Sequence, residues 1–149
     1  MIEEPGRQVV REQALTGGPG LPDDVEHFLD LTISRTIHAM TLALAHEGPV
    51  VMDRCIVDQI SGPDQPAWRL EAARRFPVNR TVFAVPPWRE IFATDAERRH
   101  GFEATEAMYG QQMQTYRDLG YELVLIPKAP VEDRIAFLLD RLPPPGAKP

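Results

Sequence analysis

Cys55 is the only cysteine in this chain, so an internal disulfide is excluded and a reducing compartment is the simpler expectation. Directly after an apolar run, that thiol reads as a small packing residue rather than a nucleophile. Histidine is scarce too. His27, His38, His46 and His100 show no ligand spacing, and His38 and His46 stand too far apart along one expected helix to share a metal. No Ser/His/Asp or Cys/His triad can be assembled. There is no apolar h-region at the N-terminus and no run of membrane-spanning length, so a cytoplasmic protein that does not enter the membrane is expected. Basic charge is also in deficit: Lys and Arg number 16 against 22 Asp and Glu, a net charge of −6. That argues against nucleic acid as the main partner, although Arg74-Arg75 and Arg98-Arg99 are local basic pairs.

A phosphate-binding loop is missing as well. Thr16-Gly17-Gly18-Pro19-Gly20 resembles the opening of one, but a working loop needs Gly-x-x-x-x-Gly-Lys-Ser/Thr. Here Leu21-Pro22-Asp23-Asp24 follows, with no Lys, with two carboxylates where anions would sit, and with no strand before it. The stretch reads as a flexible loop leading into a helix.

What is present is a soluble globular composition, 43% hydrophobic and 26% charged over 149 residues, enough for one ordinary domain with a real core. The domain is expected over residues 1–142. The tail 143–149, Pro-Pro-Pro-Gly-Ala-Lys-Pro, is expected to be disordered. Residues 1–21 are Gly-rich and polar, and Ile2 is a candidate for the end of a strand. A helix is expected from Pro22 to Glu47, with Val25, Phe28, Leu29, Ile33, Ile37, Met40 and Leu44 at three- and four-residue steps. Gly48-Pro49 ends it. Strands are expected at 50–53, 80–85 and 121–126, and 56–65 is irregular. Helices are expected over 66–76, from a cap at Asp95 to about Leu119, and from Pro130 with Val131, Ile135, Leu138, Leu139 and Leu142 on one face. Trp88 to Ala93 is a short turn or helix. Strands alternating with helices predict an α/β fold with a parallel sheet covered on both faces.

Four groups of residues are candidates for chemistry. Gly48-Pro49-Val50-Val51-Met52-Asp53-Arg54 is the most informative: an apolar run that ends abruptly in an acid and a base. Ligands of open α/β sheets sit outside the carboxyl ends of strands, where Asp53 would face a metal shell and Arg54 anionic oxygens. A helix-capping Asp beside a solvated Arg fits this stretch equally well, and Asp58 lies a little further on. In Glu3-Glu4-Pro5-Gly6-Arg7, a Pro-Gly turn would present Glu4 and Arg7 together, a carboxylate for sugar hydroxyls and a guanidinium for phosphate; a solvated segment is the plainer reading. Arg89, Arg98 and Arg99 stand near an expected helix start, where cations oppose the dipole. That hints at an anionic ligand, against the plainer alternative of a surface ion-pair cluster with Asp95 and Glu97. Lys128 lies in a loop of the kind that closes over a bound base, or is simply exposed.

Taken in order, Glu4-Pro5-Gly6-Arg7, Gly48-Pro49 with Asp53-Arg54, Pro86-Pro87-Trp88-Arg89-Glu90-Ile91-Phe92, Asp95-x-Glu97-Arg98-Arg99, Leu119-Gly120-Tyr121-Glu122, Ile126-Pro127-Lys128 and Val131-Glu132 form a series. It resembles the bacterial AAA-type P-loop ATPases related to the nicotinamide riboside kinase domain, from about residue 3 to about residue 142. The resemblance implies a three-layer parallel sheet of the P-loop nucleoside-kinase-like type, N-terminally incomplete, because the family's first strand, Walker A loop and first helix are absent. In the family's strand order 2-3-1-4-5, Met1 falls where strand 2 finishes, and the strands at 50–53 and 80–85 flank the place of strand 1, a gap of roughly 9–10 Å. The chain is therefore expected to be a fragment or to have rearranged.

By the same resemblance, Asp53 assists Mg2+ or acts as base, and Arg54 contacts phosphate or substrate. Arg98 and Arg99 belong to a lid over the transferring phosphate. Glu4 and Arg7 lie on the acceptor side, Arg89 contacts substrate and Lys128 borders the adenine. The implied activity is ATP- and Mg2+-dependent phosphate transfer to a small nucleoside-like acceptor, crippled by the missing phosphate loop. The alternative is a non-catalytic remnant or binding module of the same fold. Self-association through an exposed sheet edge is a further expectation.

Overall fold

Pro5 opens a helix rather than a turn. In the computed structural model, which describes residues 1–18, 24–62, 64–93 and 101–142, α1 covers Pro5–Thr16 with Pro5 in its first turn. Proline suits that place because the amide it lacks would have no intrahelical partner there. Gly6 is buried beside it, and a Cβ at Gly6 would stand 3.4 Å from the Phe28 ring. The chain forms two units, Met1–Pro77 and Val78–Pro149. It is an α/β protein with a small two-stranded parallel sheet.

In the first unit α1 packs on α2, Val25–Ala43. Asp24 caps α2, its Oδ1 accepting from the His27 amide at 2.9 Å. The helix stops short of the expected Glu47, because Ala45 and His46 turn their amides to Leu42 and Ala43 and tighten the last turn. The region expected to be irregular contributes to the core: a 3-10 turn at Ile56–Gln59 packs on α2, and Ile56, Val57 and Ile60 are buried, as are Val9 of α1 and Ile33 of α2. Burying each such side chain contributes roughly 1.5–3 kcal/mol. Asp58 belongs to this turn. Its carboxylate accepts from the Cys55 amide at 2.8 Å, and Cys55 is buried, the packing role expected of it.

Helix α3, Ala67–Arg75, closes the first unit. It carries Arg69, which is only 2% exposed. Arg69 reaches α2, donating from Nε to Asp30 at 2.9 Å and from Nη2 to the Glu26 carbonyl at 3.1 Å, and its Nη2 forms an ion pair with the Glu26 carboxylate at 2.8 Å.

The run at 50–53 makes a single parallel bridge, Ile2 with Met52, instead of a ladder. The Ile2 amide donates to Val51 and the Asp53 amide to Ile2, at 2.8 and 3.1 Å. The partner strand cannot extend, since Pro5 has no amide and begins α1.

In the second unit β1, Thr81–Ala84, pairs in parallel with β2, Glu122–Leu125, in the register Thr81 with Glu122 through Ala84 with Leu125. Parallel strands need a crossover, and α4, Phe102–Asp118, lies within it. Its N-cap is Gly101; Asp95, the expected cap, lies outside the described residues. At the far end Gly120 adopts φ 82°, its amide donates to Arg117 and the Tyr121 amide to Tyr116. This is a Schellman closure, which glycine reaches at no steric cost. Tyr121 then packs edge-on against buried Tyr116 at 5.5 Å.

The last helix, α5, Val131–Leu139, follows a Pro130 N-cap and buries none of its residues. Val131, Ile135 and Leu139, on its apolar face, are 60%, 50% and 65% exposed. The tail 143–149 lies outside the described residues. Among the described residues no helix is long and apolar enough to cross a membrane.

Candidate functional site

The Ile2–Met52 bridge sets two candidate groups side by side. In a parallel pair, residues two positions beyond a bridge on each chain share a face. Here those residues are Glu4 and Arg54. Arg54 Nε forms an ion pair with Glu4 Oε1 at 3.0 Å. One turn into α1, Arg7 Nε donates to the other oxygen, Oε2, at 3.3 Å. Glu4 stands at the N-cap of α1, yet its side chain caps no amide. It is turned to the two arginines instead.

The acid is the least exposed of the three, 20% against 40% for Arg7 and 43% for Arg54. Arg54 also holds φ 66°, left-handed backbone that costs a non-glycine residue roughly 1–2 kcal/mol. Asp53, just before it, is exposed. The first unit thus brings together Glu4, Arg7 and Arg54, with Asp53 next to Arg54 in the chain, by a helix start and a one-residue bridge rather than by the Pro-Gly turn. Glu3, next to Glu4, pairs separately with Arg11 at 2.9 Å. Nearby, the end of α2 and Pro49-Val50 border an apolar cleft of about 290 Å3 lined by Ile2, Leu42 and His46; its walls offer an anion little.

Arg89 and Lys128 belong to the second unit. Arg89 starts a 3-10 turn, Arg89–Ile91, and lies over the Phe102 ring at 4.1 Å while its Nη2 donates to Glu103 at 2.9 Å. Phe102 is buried and meets Phe92 edge-on at 5.3 Å. The bond from Arg89, then Glu103's own backbone amide and the charge of Arg89, hold the Glu103 carboxyl below its ordinary value of 4.5. Lys128 is exposed in the loop between β2 and α5. Arg98 and Arg99 lie outside the described residues.

A family model described as an AAA domain, AAA_28, matches residues 1–134. The chain belongs to this AAA-domain family. Membership places it among the P-loop proteins, whose general business is nucleotide binding. No curated protein and no solved structure matches it.

Within the AAA domain only the first part of the Gly-rich stretch is described; Pro19 and Gly20 lie outside the described residues. Gly17, at φ 65°, is the C-cap of α1, the negative end of a helix dipole and the wrong end for an anion. The described helices open on Glu4-Pro5, Asp24, Pro66, Gly101 with Glu103, and Pro130 with Glu132-Asp133. Acids and prolines at these starts leave no phosphate cradle among the described residues. Nor do these residues gather three His, Cys, Asp or Glu side chains into a metal cluster. Mg2+ asks for less, one or two carboxylates with phosphate oxygens and water completing the shell, and exposed Asp53 fits as one such ligand.

Two partnerships had no clear signal in the sequence. Buried Arg69 reads as an ordinary helical arginine, although Glu26 and Asp30 are one turn apart on the facing helix. Glu103 as the partner of Arg89 is separated from it by the 94–100 stretch.

Proposed function

We propose that this AAA domain binds a phosphorylated, nucleoside-like metabolite and has little or no phosphoryl-transfer activity of its own. It would be the acceptor side of a cytoplasmic, kinase-like P-loop protein of the branch related to nicotinamide riboside kinase. The observation that carries this reading is the Glu4 carboxylate shared by Arg7 and Arg54 at the end of the Ile2–Met52 bridge. Two half-exposed guanidinium groups at a strand end suit the oxygens of a phosphate.

Asp53 takes the magnesium side of the site, with ATP supplying the other oxygens. Arg54 takes the phosphate, Arg7 and Arg89 contact substrate, Lys128 borders the base, and Arg98 and Arg99 form the lid; the roles of Arg89, Lys128, Arg98 and Arg99 follow from the family resemblance. The pairings of Ile2 with Met52 and of β1 with β2 are those that the order 2-3-1-4-5 calls for on either side of its first strand, which supports a three-layer P-loop sheet as the parent architecture. Phosphoryl transfer draws much of its rate from a preorganised phosphate cradle. The acids and prolines at the described helix starts therefore favour a binding module over a working kinase.

Calorimetric titration with a nucleoside 5′-monophosphate and with Mg-ATP tests the proposal. The monophosphate is expected to bind, and Arg54→Gln to abolish that binding. Mg-ATP is expected to bind weakly, lose that binding in Asp53→Ala, and show no turnover near the roughly 1–100 s⁻¹ of kinases. No binding of either ligand up to millimolar concentration would overturn the reading.

A further inference from the structure

We infer that the outer edge of β2 is an interaction surface for a second copy of this chain, whose own β2 pairs with it in the antiparallel sense. The β1–β2 ladder fixes which backbone groups face outward. The Glu122 amide donates to the Arg80 carbonyl at 2.8 Å, and the Ile126 amide to the Ala84 carbonyl at 2.9 Å. In such a ladder every second residue of a strand bonds to the neighbouring strand. Glu122, Val124 and Ile126 therefore turn their backbone groups to β1, and Leu123 and Leu125 turn theirs away. Among the described residues nothing bonds to those outward amides and carbonyls.

β2 carries none of the devices that blunt an edge. From Leu123 to Leu125 there is no proline, no lysine and no bulge, and Leu125 is 56% exposed. The corresponding edge of β1 is partly closed by Asn79, whose Oδ1 accepts from the Thr81 amide at 3.0 Å. An unpaired row of donors and acceptors on an apolar strand is a template for another strand.

The edge is complementary to itself. A two-fold axis at Val124 sets Leu123 opposite Leu125 of the second copy, and Leu125 opposite Leu123 of the second copy. Each pair then exchanges both of its N–H···O bonds, and the two sheets become one. Glu122 falls opposite Ile126 of the second copy, with Lys128 of that copy its diagonal neighbour, within reach of long side chains. The charges match. Glu122 is 66% exposed and uses Oε1 for Arg80 at 3.4 Å, which leaves Oε2. Lys128 is exposed and makes no ion pair among the described residues. The axis supplies this pair twice. An unrelated partner must bring its own matching charges, whereas a second copy brings them in register. The place of Lys128 beside a base rests on the family resemblance; the contact between copies rests on β2 and is tested through Glu122.

The test is sedimentation equilibrium of the full chain, with amide hydrogen exchange followed by NMR at low and high protein concentration. The wild type is expected to pass from monomer to dimer as concentration rises. Over the same range the Leu123 and Leu125 amides gain protection, and the Phe83 amide, on the outer edge of β1, gains none. Leu125→Pro removes an outward donor and no ladder bond, and is expected to abolish the dimer. Should that variant not fold, the charge pair gives the answer. Glu122→Lys is expected to weaken the dimer about 10-fold, since two exposed ion pairs are lost at once, and adding Lys128→Glu to it should restore the wild-type affinity. A wild type that stays monomeric at millimolar concentration overturns the inference, whatever other strand the edge accepts. So does protection gained at Phe83 instead of Leu123 and Leu125, or a dimer that Glu122→Lys leaves as tight as the wild type's.

Discussion

The guanidinium of Arg69 donates from Nε to Asp30 at 2.9 Å, and this buried cation ties α3 to α2 through acids that remain in contact with water. Arg69 is 2% exposed, whereas the side chains of Asp30 and Glu26 are 47% and 70% exposed. The asymmetry decides which substitution costs more. Asp30→Ala strands a desolvated cation with only Glu26 beside it, and its expected cost is about 2–3 kcal/mol. Arg69→Met fills the same space without a charge, and the two acids simply rehydrate, so the expected cost is about 1 kcal/mol or less. Urea unfolding of both variants checks the order.

Arg54 combines a strained backbone with a half-exposed ion pair, and the two contributions have opposite signs. Its φ of 66° suits glycine. Its pairing with Glu4 is worth no more than about 1 kcal/mol at that exposure. Arg54→Gly therefore loses the pair but relaxes the backbone, and its stability is expected within about 0.5 kcal/mol of the wild type. Arg54→Ala loses the pair and keeps the strain. It should unfold about 1 kcal/mol more easily than Arg54→Gly. Chemical denaturation of the two variants side by side measures the difference.

The same residues explain what a reader of the sequence alone recovers. The β1–β2 pair is legible because short apolar runs bounded by prolines and glycine carry the signature of buried strands. Asp53 and Arg54 are legible because such a run ends in two opposite charges. Helix α1 is not, since Pro5-Gly6 has the composition of a turn, and only tertiary packing against Phe28 makes a helix start the better use of it. The Ile2–Met52 pairing is beyond any periodicity, because one residue has no period. Arg69 is hidden for a different reason: burial of an arginine depends on acids from another helix. The ordered series of short motifs pointed to the AAA-type P-loop family that the match over residues 1–134 establishes.

The Arg89–Glu103 pair gives the second unit a measurable acid dependence. Glu103 is held below its ordinary value of 4.5, first by the side-chain bond from Arg89. A carboxyl whose folded value is depressed adds stability above its unfolded value, and that contribution disappears as the pH falls through the folded one. The window is therefore at and below pH 4.5. Carbon-detected NMR titration should place the Glu103 midpoint below 4.5, and Arg89→Gln should return it toward that value. Because the pair is exposed, high salt should shrink the difference.

Ile135 and Ile33 are the same residue type on helices with the same sort of apolar spacing, and they should behave oppositely. Ile33 is fully buried on α2, at 0% exposure, whereas Ile135 is 50% exposed on α5, which buries none of its residues. Periodicity identifies an apolar face but says nothing of whether another element covers it. Ile33→Ala removes buried methyl groups from a packed site and should cost about 2–5 kcal/mol. Ile135→Lys places a long, helix-favouring side chain where water already reaches, and should change stability by no more than about 0.5 kcal/mol. Paired urea melts followed by circular dichroism read both numbers. A cost for Ile135→Lys approaching that of Ile33→Ala would mean that α5 is covered in solution.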